Sequence, residues 1–408
     1  MYDVAVVGAG PAGNWVSYLL SRQGFEVLVL EEHKDIGLPI HCTGVVGNDL
    51  FEEFDVPKDA CLRELNRFKV FSPSLESFCI PADIQAYVID RYAFDNLLAK
   101  KSKAAGTTYI LQAKALDVTT YEDRVRIEVD CDGESRFFSA KLCVLATGSM
   151  SNLPYRHGIG MPNYFLKTAQ TEADLEGLPD VEVYLGEEIA PGSFAWSVPS
   201  CHHQARIGVI TKGNAKTYLE RLLQSTFLRD RIKSPNYKIR CSRVPIGVPK
   251  RTMAGRVIGV GDAASQVKST TGGGIYYGMI GAQILADTIM RSASNGDFGL
   301  SKLKSYDTLW KQRLGTELKT GVYLRHLFEN VDDDYLDGIF RLMSQSNIQQ
   351  IISHKGDFNK HKDLILSLAR VPEIRKVVLE LARRNLPFMK KRKSKVVPIR
   401  DEHFLEVS

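Results

Sequence analysis

Short apolar runs alternate with a helical segment over the first thirty residues. Residues Tyr2–Val7 form an apolar run rich in valine, residues 12–23 follow as a helical stretch that Gly24 ends, and Val27–Leu30 is a second apolar run. Short apolar runs bounded by glycines predict buried strands. The pattern therefore predicts a strand–helix–strand unit, the building block of parallel sheets.

Similar patterns recur along the chain. A helix is predicted over 91–105 and another from Gly272, and the last hundred residues are helical and strongly charged. Further strands are predicted at 68–71, 87–89, 109–111, 125–129, 142–146, 181–185, 205–210 and 256–260. The fold class is therefore α/β with α+β insertions. We expect a discontinuous nucleotide-binding domain (1–61, 91–150, 241–300), a β-rich substrate domain (62–90, 151–240) and a C-terminal helical region (301–408).

Composition narrows the class of protein. With 408 residues, 44% hydrophobic residues and a net charge of +5, the chain has the composition of a multidomain globular protein. The small charge argues against a nucleic-acid partner. The seven cysteines show no C-x-x-C spacing, so neither a metal site nor a disulfide framework is predicted. Without a signal peptide or a long apolar run, the expected location is cytoplasmic.

The first candidate site is the glycine loop after the first strand, which reads Gly8-Ala9-Gly10-Pro11-Ala12-Gly13. Gly8 allows a tight turn, Gly10 allows the backbone to approach a pyrophosphate, and Gly13 allows the helix to pack closely on the strand. The helix N-terminus offers free N–H groups to the diphosphate. Glu31 ends the second strand, where a carboxylate accepts hydrogen bonds from ribose hydroxyls and repels a 2′-phosphate.

A second motif distinguishes FAD from NAD. The predicted strand at 256–260 leads into Gly261-Asp262, and Gly272-Gly273-Gly274 then open the helix predicted from Gly272. Asp262 can accept a hydrogen bond from a ribityl hydroxyl. A helix N-terminus aimed at the flavin ring stabilises the anionic reduced form. The alternative is a helix cap and a flexible glycine loop, but the two motifs together favour FAD.

These motifs resemble the p-hydroxybenzoate-hydroxylase-type flavoproteins, together with Asp90-Arg91 before a helix and Ala146-Thr147-Gly148 after a strand. Two segments are similar to the geranylgeranyl reductase family in particular, which includes the archaeal reductases of digeranylgeranylglycerophospholipids. They are 36–44 (IGLPIHCTG), similar to a G-x-P-x-x-C pattern, and 191–199 (PGSFAWSVP), similar to P-x-x-Y-x-W-x-F-P. Phe194 and Val198 depart from the second pattern, which leaves the particular substrate open.

The resemblance implies roles for individual residues. It places Phe194, Trp196 and Pro199 along an apolar substrate tunnel, with ordinary core packing as the alternative. Cys42 would lie near the flavin and the substrate double bond as a proton donor or a gate, and the alternative is a buried structural thiol. The residues expected to contact FAD are Gly8, Gly10, Ala12, Gly13, Glu31, Cys42, Thr43, Arg91, Ala115, Asp262, Gly272, Gly273, Gly274 and Ile275.

The function implied is reduction of C=C bonds in an isoprenoid chain of a lipid precursor by reduced FAD. Since the sequence has no second nucleotide fingerprint, electrons would come from a reduced ferredoxin-like protein or from NAD(P)H. The alternatives are a flavin monooxygenase acting on an aromatic or polyprenyl substrate and a non-catalytic flavin-binding or electron-carrier protein. The basic run at 389–395 is either a contact for anionic lipids or a solvated tail.

Overall fold

The computed structural model describes residues 1–65, 67–80, 86–201, 203–233, 237–294, 297–328 and 331–392. The chain divides into two compact units, each assembled from three separated segments. The first unit comprises 1–64, 86–166 and 242–322, and the second comprises the described residues of 65–85, 167–241 and 323–408.

Strands and helices alternate along the described part of the chain. The strands are β1 (Tyr2–Val7), β2 (Val27–Leu30), β3 (Val45–Gly47), β4 (Cys61–Leu65), β5 (Phe68–Phe71), β6 (Ser77–Ile80), β7 (Ala86–Ile89), β8 (Thr108–Ile110), β9 (Ala113–Thr120), β10 (Val125–Cys131), β11 (Glu134–Leu145), β12 (Tyr164–Asp174), β13 (Val181–Tyr184), β14 (Phe194–Pro199), β15 (Gln204–Thr211), β16 (Arg240–Ile246), β17 (Met253–Ala254), β18 (Val257–Gly259), β19 (Ala293–Ser294) and β20 (Asp297–Phe298). The helices are α1 (Pro11–Ser21), α2 (Asp49–Phe54), α3 (Arg91–Ala104), α4 (Leu153–Arg156), α5 (Ala215–Gln224), α6 (Thr226–Arg229), α7 (Ile275–Ser292), α8 (Leu300–Leu303), α9 (Ser305–Phe328), α10 (Asp333–Met343), α11 (Ser346–Lys355), α12 (Lys362–Leu368) and α13 (Pro372–Arg392).

The first unit is built on a largely parallel sheet. Its central order is β17-β18-β11-β1-β2-β8, and β10 and β9 extend it through antiparallel pairing on β11. The neighbours β18, β11, β1, β2 and β8 run parallel to one another. Parallel strands place their carboxyl ends at one edge of the sheet, where ligands bind in such folds. Both predicted nucleotide motifs follow such strand ends.

Alternate residues of β1 contribute to two different cores. Val4 and Val6 pack with the helices α1 and α7, whereas Ala5 and Val7 pack with residues of β9 and β10. A strand buried on both faces loses its polar alternation, which explains the continuous apolar run in the sequence. Burying each valine or leucine contributes about 1.5–3 kcal/mol, so the two cores fix the position of the loop that follows β1.

The second unit contains a seven-stranded sheet in the order β16-β12-β15-β14-β13-β5-β6. One face of this sheet packs on α5, with Tyr184, Ala195 and Val209 in the shared core. The C-terminal segment packs on β6 and β5 through ring contacts. Phe78 of β6 lies 4.7 Å from Phe340 of α10, and Phe68 of β5 lies 6.4 Å from Phe358, which precedes α12, between ring centroids.

The division into units differs from the expected boundaries at the C-terminus. Residues 301–322 belong to the first unit, and the described residues from Tyr323 onwards belong to the second. The reason is burial: Trp310 and Leu318 of α9 complete the core of the first unit, while Phe340 covers a strand of the second. The assignment of separate FAD and substrate domains stays a prediction.

Two further expectations concern membranes. Within the described residues, no helix is both long enough and apolar enough to cross a bilayer. The basic run at 389–395 lies outside the described side chains, and its last residues lie outside the described chain altogether.

Candidate functional site

The glycine loop between β1 and α1 is tightly packed on two sides. Gly8 has φ +104°, and a Cβ there would lie 2.5 Å from the carbonyl oxygen of Ala146. A Cβ on Gly13 would lie 2.0 Å from the carbonyl oxygen of Gly8. Any side chain at either position would therefore displace backbone, as the fingerprint predicts for its first and third glycines.

Gly10 lies in open space, in contrast to the other two glycines. Among the described residues, no atom comes within 4 Å of a Cβ built on Gly10. In the same part of the chain no side chain caps α1, whose first turn contains Pro11 and Ala12. The side-chain oxygen of Thr147, the residue after Ala146, is buried without a hydrogen-bond partner among the described residues. Free space, uncapped N–H groups and an unpaired hydroxyl fit a polar phosphate group at this loop.

Glu31 lies at the end of β2 and is 8% exposed. One carboxylate oxygen accepts a hydrogen bond from the Ala9 N–H at 2.8 Å. The other accepts one from the His33 N–H at 3.0 Å and lies 2.7 Å from Nδ1 of the His33 ring. A carboxylate offers about four acceptor positions, so Glu31 can hold the glycine loop and still accept from a ribose hydroxyl.

Asp262 follows β18 in a 3₁₀ turn, Gly261–Ala264. Its Oδ1 would lie 2.5 Å from a Cβ on Gly274, the residue that precedes α7. Burial raises the pKa of Asp262 to about 6, and the positive charge of Arg91 opposes this rise. Within the described residues, burial and the charge of Arg91 account for this shift without a hydrogen bond from a protein donor, so the carboxylate can accept one from a cofactor hydroxyl.

The glycines before α7 bring its first turn close to Asp262. Gly272 has φ +78°, and the Cβ position of Gly273 lies 2.6 Å from Cε of Lys268. No described side chain caps α7, which begins at the half-buried Ile275. A long helix with an uncapped N-terminus presents free N–H groups and a partial positive charge, which suits the anionic edge of a reduced flavin.

Arg91 lies at the start of α3 and connects several of the predicted residues. Its Nε and a terminal nitrogen donate to the two oxygens of Asp95 at 3.1 and 2.8 Å. Its side chain also hydrogen-bonds the thiol of Cys42. Burial lowers the pKa of Arg91, but the side chains of Asp95 and Cys42 raise it by more than burial lowers it. The net shift is upward, so the arginine stays charged. The structure thus brings Cys42, Arg91 and Asp262 into one electrostatic cluster.

Tyr155 and Arg243 border this cluster. The Tyr155 hydroxyl is buried without a partner among the described residues. Burial raises the pKa of Tyr155 to about 12; the charge of Arg243 acts against this and that of Asp262 adds to it. Arg243 is held by the carbonyl oxygen of Ser149, to which its Nε donates at 2.6 Å. An unpaired buried hydroxyl near Asp262 is a second feature that fits a polar group in the site.

Two expected cofactor residues have less direct support. Thr43 lies between Cys42 and Gly44, whose N–H donates to the Cys42 sulfur at 3.3 Å. Ala115 lies in β9 opposite Val129, two residues beyond Ala113, whose N–H donates to the carbonyl oxygen of Glu31 at 2.8 Å. Both positions adjoin residues of the site, and their contact with a cofactor stays a prediction.

The predicted substrate residues lie on β14 in the second unit. The rings of Phe194 and Trp196 are half-buried on one face of the sheet, with centroids 5.9 Å apart. The Trp196 ring covers Gly208 of β15, where a Cβ would lie 2.3 Å from the indole. Its indole nitrogen is buried without a partner in the described chain. Pro199 is buried at the strand end.

This chain is similar in sequence to known flavoprotein oxidoreductases. Residues 2–180 match the pyridine nucleotide-disulphide oxidoreductase family. The digeranylgeranylglycerophospholipid reductase of Methanocaldococcus jannaschii is 28% identical over 388 residues, which cover 90% of this chain and 98% of the relative. The predicted resemblance to the geranylgeranyl reductase family is confirmed.

Solved structures support the same fold. A geranylgeranyl bacteriochlorophyll reductase-like protein of Thermoplasma acidophilum has a TM-score of 0.81 and 22% identity, covering 93% of this chain and 99% of its own. The p-nitrophenol 4-monooxygenase of Pseudomonas putida has a TM-score of 0.69 and 17% identity, covering 89% and 98%. The α/β fold class is confirmed, and FAD is supported as the cofactor of an oxidoreductase similar to the geranylgeranyl reductases.

Sequence reasoning missed several residues around the site. Asp95 stands four residues after Arg91 on a predicted helix, and this spacing is a recognisable signal for an ion pair. Asn14 is also missed: its amide donates to the carbonyl oxygen of Ala9 at 2.7 Å. Tyr155 and Arg243 have no local signal, because only the tertiary fold brings them near Asp262.

Proposed function

We propose that this protein is an FAD-dependent reductase that saturates C=C bonds in the isoprenoid chains of a membrane-lipid precursor. The observation that carries the proposal is the similarity to a digeranylgeranylglycerophospholipid reductase over 90% of the chain. The cluster of Cys42, Arg91 and Asp262 supports it, since it sets a proton-bearing thiol beside groups suited to a flavin.

The first unit would hold FAD through residues at the carboxyl ends of its parallel strands. The diphosphate would lie over Gly10 and the N-terminus of α1, and Glu31 would accept from the adenosine ribose. Asp262 would accept from a ribityl hydroxyl, and the first turn of α7 would face the ring. When bound and reduced, FAD would supply the hydride chemistry for the double bond.

Cys42 would supply the proton. Its thiol donates H⁺ to the second alkene carbon, which leaves a thiolate beside the Arg91 guanidinium. An unactivated alkene accepts hydride poorly, so the chain must also hold the bond in place and exclude water. Phe194 and Trp196 would provide the apolar surface for this, because an isoprenoid offers no polar group along its length.

A single-turnover experiment tests the reaction. The purified flavoprotein is reduced without oxygen and mixed with geranylgeranylated lipids in detergent. We expect reoxidation of the flavin absorbance and a mass gain of two hydrogens per reduced bond. Absence of reoxidation across several isoprenoid lengths would refute the proposal.

The role of Cys42 is tested separately by Cys42→Ser. General acids contribute about 10²–10⁴-fold to such steps, so reoxidation should slow by at least about 100-fold while FAD stays bound. Cys201→Ser is the matched control, because Cys201 is an exposed cysteine of the second unit. Equal reoxidation rates in the two variants would exclude Cys42 as the proton donor.

The proposed reaction also needs a donor that reduces the flavin. We propose delivery by a reduced ferredoxin-like protein or by transiently bound NAD(P)H. Rapid mixing of the oxidised protein with each donor distinguishes them by the rate at which the flavin is bleached.

A flavin monooxygenase is the second candidate, favoured by the fold shared with p-nitrophenol 4-monooxygenase. That reaction consumes oxygen. Substrate-dependent oxygen uptake by the reduced protein, without saturation of an isoprenoid, would favour it over the reductase.

A further inference from the structure

Asp95 is among the least exposed acidic residues of the first unit. Its side chain is 3% exposed and forms both bonds of a bidentate pair with Arg91. Burial raises the pKa of Asp95 and Arg91 lowers it. A buried carboxylate is costly without a cation, and the planar guanidinium is fixed in orientation by two parallel hydrogen bonds. Asp95 therefore determines where the Arg91 guanidinium points.

The loop that carries Cys42 packs directly against this pair. Gly37 has φ +87°, and its Cβ position lies 3.1 Å from Cα of Tyr92 and 3.3 Å from Cβ of Asp95. The side chain of Asn96 donates to the carbonyl oxygen of Ile36 at 2.8 Å, which ties the same loop to α3. The loop and α3 are thus held against each other at the place where the Cys42 thiol hydrogen-bonds the Arg91 guanidinium.

Arg91 serves several partners at once. It pairs with Asp95, hydrogen-bonds the Cys42 thiol and acts electrostatically on Asp262. Glu31 and Asp90 add negative charge around Asp95. Arginine has five N–H donors in a rigid fork, so holding one edge of the fork on Asp95 leaves the remaining donors for the thiol.

We propose that Asp95 is a positioning residue, which acts through Arg91 to stabilise the thiolate that Cys42 forms when it gives its proton to the substrate. The inference rests on the proposed function and deepens it. In the step, the S–H bond breaks and a C–H bond forms at one alkene carbon, while the hydride from reduced flavin forms the other C–H bond. Water then returns a proton to the thiolate.

The charged groups around the Arg91–Asp95 pair set the sign of the effect. Arg91 is the cation that hydrogen-bonds the thiol. Glu31, which follows β2, and Asp90, which precedes α3, add negative charge at Asp95, and Asp262 interacts with Arg91. His41 precedes Cys42 in the loop. If Asp95 no longer holds the guanidinium, the thiolate loses the cation that hydrogen-bonds it and becomes harder to form.

Alkylation of Cys42 in the FAD-free protein tests this without turnover. Iodoacetamide reacts with the thiolate, and peptide mass spectrometry resolves Cys42 from the other cysteines. In Asp95→Asn the guanidinium is no longer held where it donates to the sulfur, so the thiolate loses a charge-assisted hydrogen bond and the alkylation of Cys42 at neutral pH should slow about tenfold. Arg91→Gln should slow it by at least as much. The double variant should match Arg91→Gln, because Asp95 acts only through Arg91.

Two controls accompany the test. Glu380→Gln removes the carboxylate from another (i, i+4) pair, with Arg384, in the second unit, and should leave the alkylation of Cys42 unchanged. Asp95→Glu keeps the charge and should restore part of the rate. Alkylation of the exposed Cys201 normalises the reagent, and circular dichroism verifies that each variant is folded.

The outcomes separate the two claims. The inference would be overturned if Cys42 were alkylated at the wild-type rate in folded Asp95→Asn but slowly in Arg91→Gln. Asp95 would then have only a structural role in α3. Additive effects in the double variant would also overturn it. If alkylation follows the expected pattern while the wild-type protein reduces no isoprenoid, the positioning stands and the proposed function fails.

Discussion

Gly10 and Gly13 stand three residues apart, but their surroundings differ at the scale of single atoms. Gly13 is closed in by the carbonyl oxygen of Gly8, whereas Gly10 borders empty space. Gly10 also has φ −74°, which alanine adopts without strain. The sequence fingerprint treats both as essential glycines. The structure indicates that Gly13 is required by the fold, whereas the role of Gly10 in binding a diphosphate stays a prediction.

Replacement of Gly10 therefore separates stability from binding. Gly10→Ala should change the free energy of unfolding of the FAD-free protein by no more than about 0.5 kcal/mol. It should weaken FAD binding at least about tenfold, because the methyl group occupies the space of the diphosphate. Urea unfolding and fluorescence titration with FAD measure the two effects.

Two glycine variants serve as controls. Gly13→Ala should destabilise the FAD-free protein by more than about 2 kcal/mol, since backbone must move. Gly338→Ala lies in α10, where the Cβ also meets no atom, and should leave FAD binding unchanged. If Gly10→Ala binds FAD like the wild type, the diphosphate does not lie at this loop.

Asp262 provides a pH-dependent test of the site. Its pKa is about 6 in the folded protein and about 3.8 in an unfolded chain, so the folded state binds more protons between these values. The ionised carboxylate therefore costs stability above pH 6, and this cost disappears as the pH falls towards 4. Asp262→Asn should stabilise the FAD-free protein at pH 7.5 by about 2 kcal/mol and at pH 4 hardly at all.

Asp3 offers the opposite case as a control. Partial burial raises its pKa, but the hydrogen bond and charge of Lys141 lower it, and the net shift is downward. Asp3→Asn should therefore destabilise the protein at neutral pH, with the loss fading in acid. Should Asp262→Asn destabilise at pH 7.5 like Asp3→Asn, the carboxylate at 262 would be satisfied by the protein rather than reserved for a cofactor.

At the residue scale, the sequence predicts what is local. Glu31 and Asp262 follow apolar strands, so their position at the sheet edge follows from the pattern. The contact of Cys42 with Arg91 could not be predicted from spacing, since 49 positions separate them (91 − 42). Only the resemblance to a known family directed attention to this cysteine.

At the scale of elements, a glycine on β15 leaves space for an aromatic ring on the paired strand β14. Trp196 lies opposite Gly208, and the indole covers the glycine. Gly208→Ala should push the indole from this position and raise the KM for an isoprenoid substrate several-fold, with kcat and FAD binding changed much less. Steady-state kinetics and flavin absorbance measure this.

A second substitution verifies the cause. Gly208→Ala should also lower the melting temperature, because the new methyl group clashes with the indole. Trp196→Leu in the Gly208→Ala background removes the clashing ring, so the melting temperature should rise again while the KM stays high. A normal KM in Gly208→Ala would mean that the indole does not border the substrate.

The bounds of buried elements are well predicted, and those of exposed ones are not. The predicted strands Tyr2–Val7 and Val27–Leu30 are reproduced as β1 and β2, which are largely buried. β9 and β12 are missed as strands because their residues mix polar and apolar side chains, and their strand structure depends on pairing with β10 and β15. Pairing between distant segments leaves no periodic signal in either of them.

At the scale of the whole molecule, charge near the C-terminus could direct the protein to lipid. The run at 389–395 contains five lysines and arginines. Each such charge contributes about 1 kcal/mol near an anionic surface, so replacing the four lysines by glutamine should weaken binding to phosphatidylserine-containing vesicles at least about tenfold. Vesicle cosedimentation measures this, with neutral phosphatidylcholine vesicles as the control. Equal binding by both proteins would identify the run as a solvated tail.

The segmented construction of the first unit has a consequence for biosynthesis. Strand β11 cannot pair with its parallel neighbour β18 until the chain has been synthesised to residue 259. Ribosomes add about 5–20 residues per second, so the nascent chain carries an open strand edge for several seconds after β11 is made. Asp262 emerges later still. Capture of the cofactor therefore comes late in translation, and rapid overproduction should favour aggregated over yellow, soluble protein.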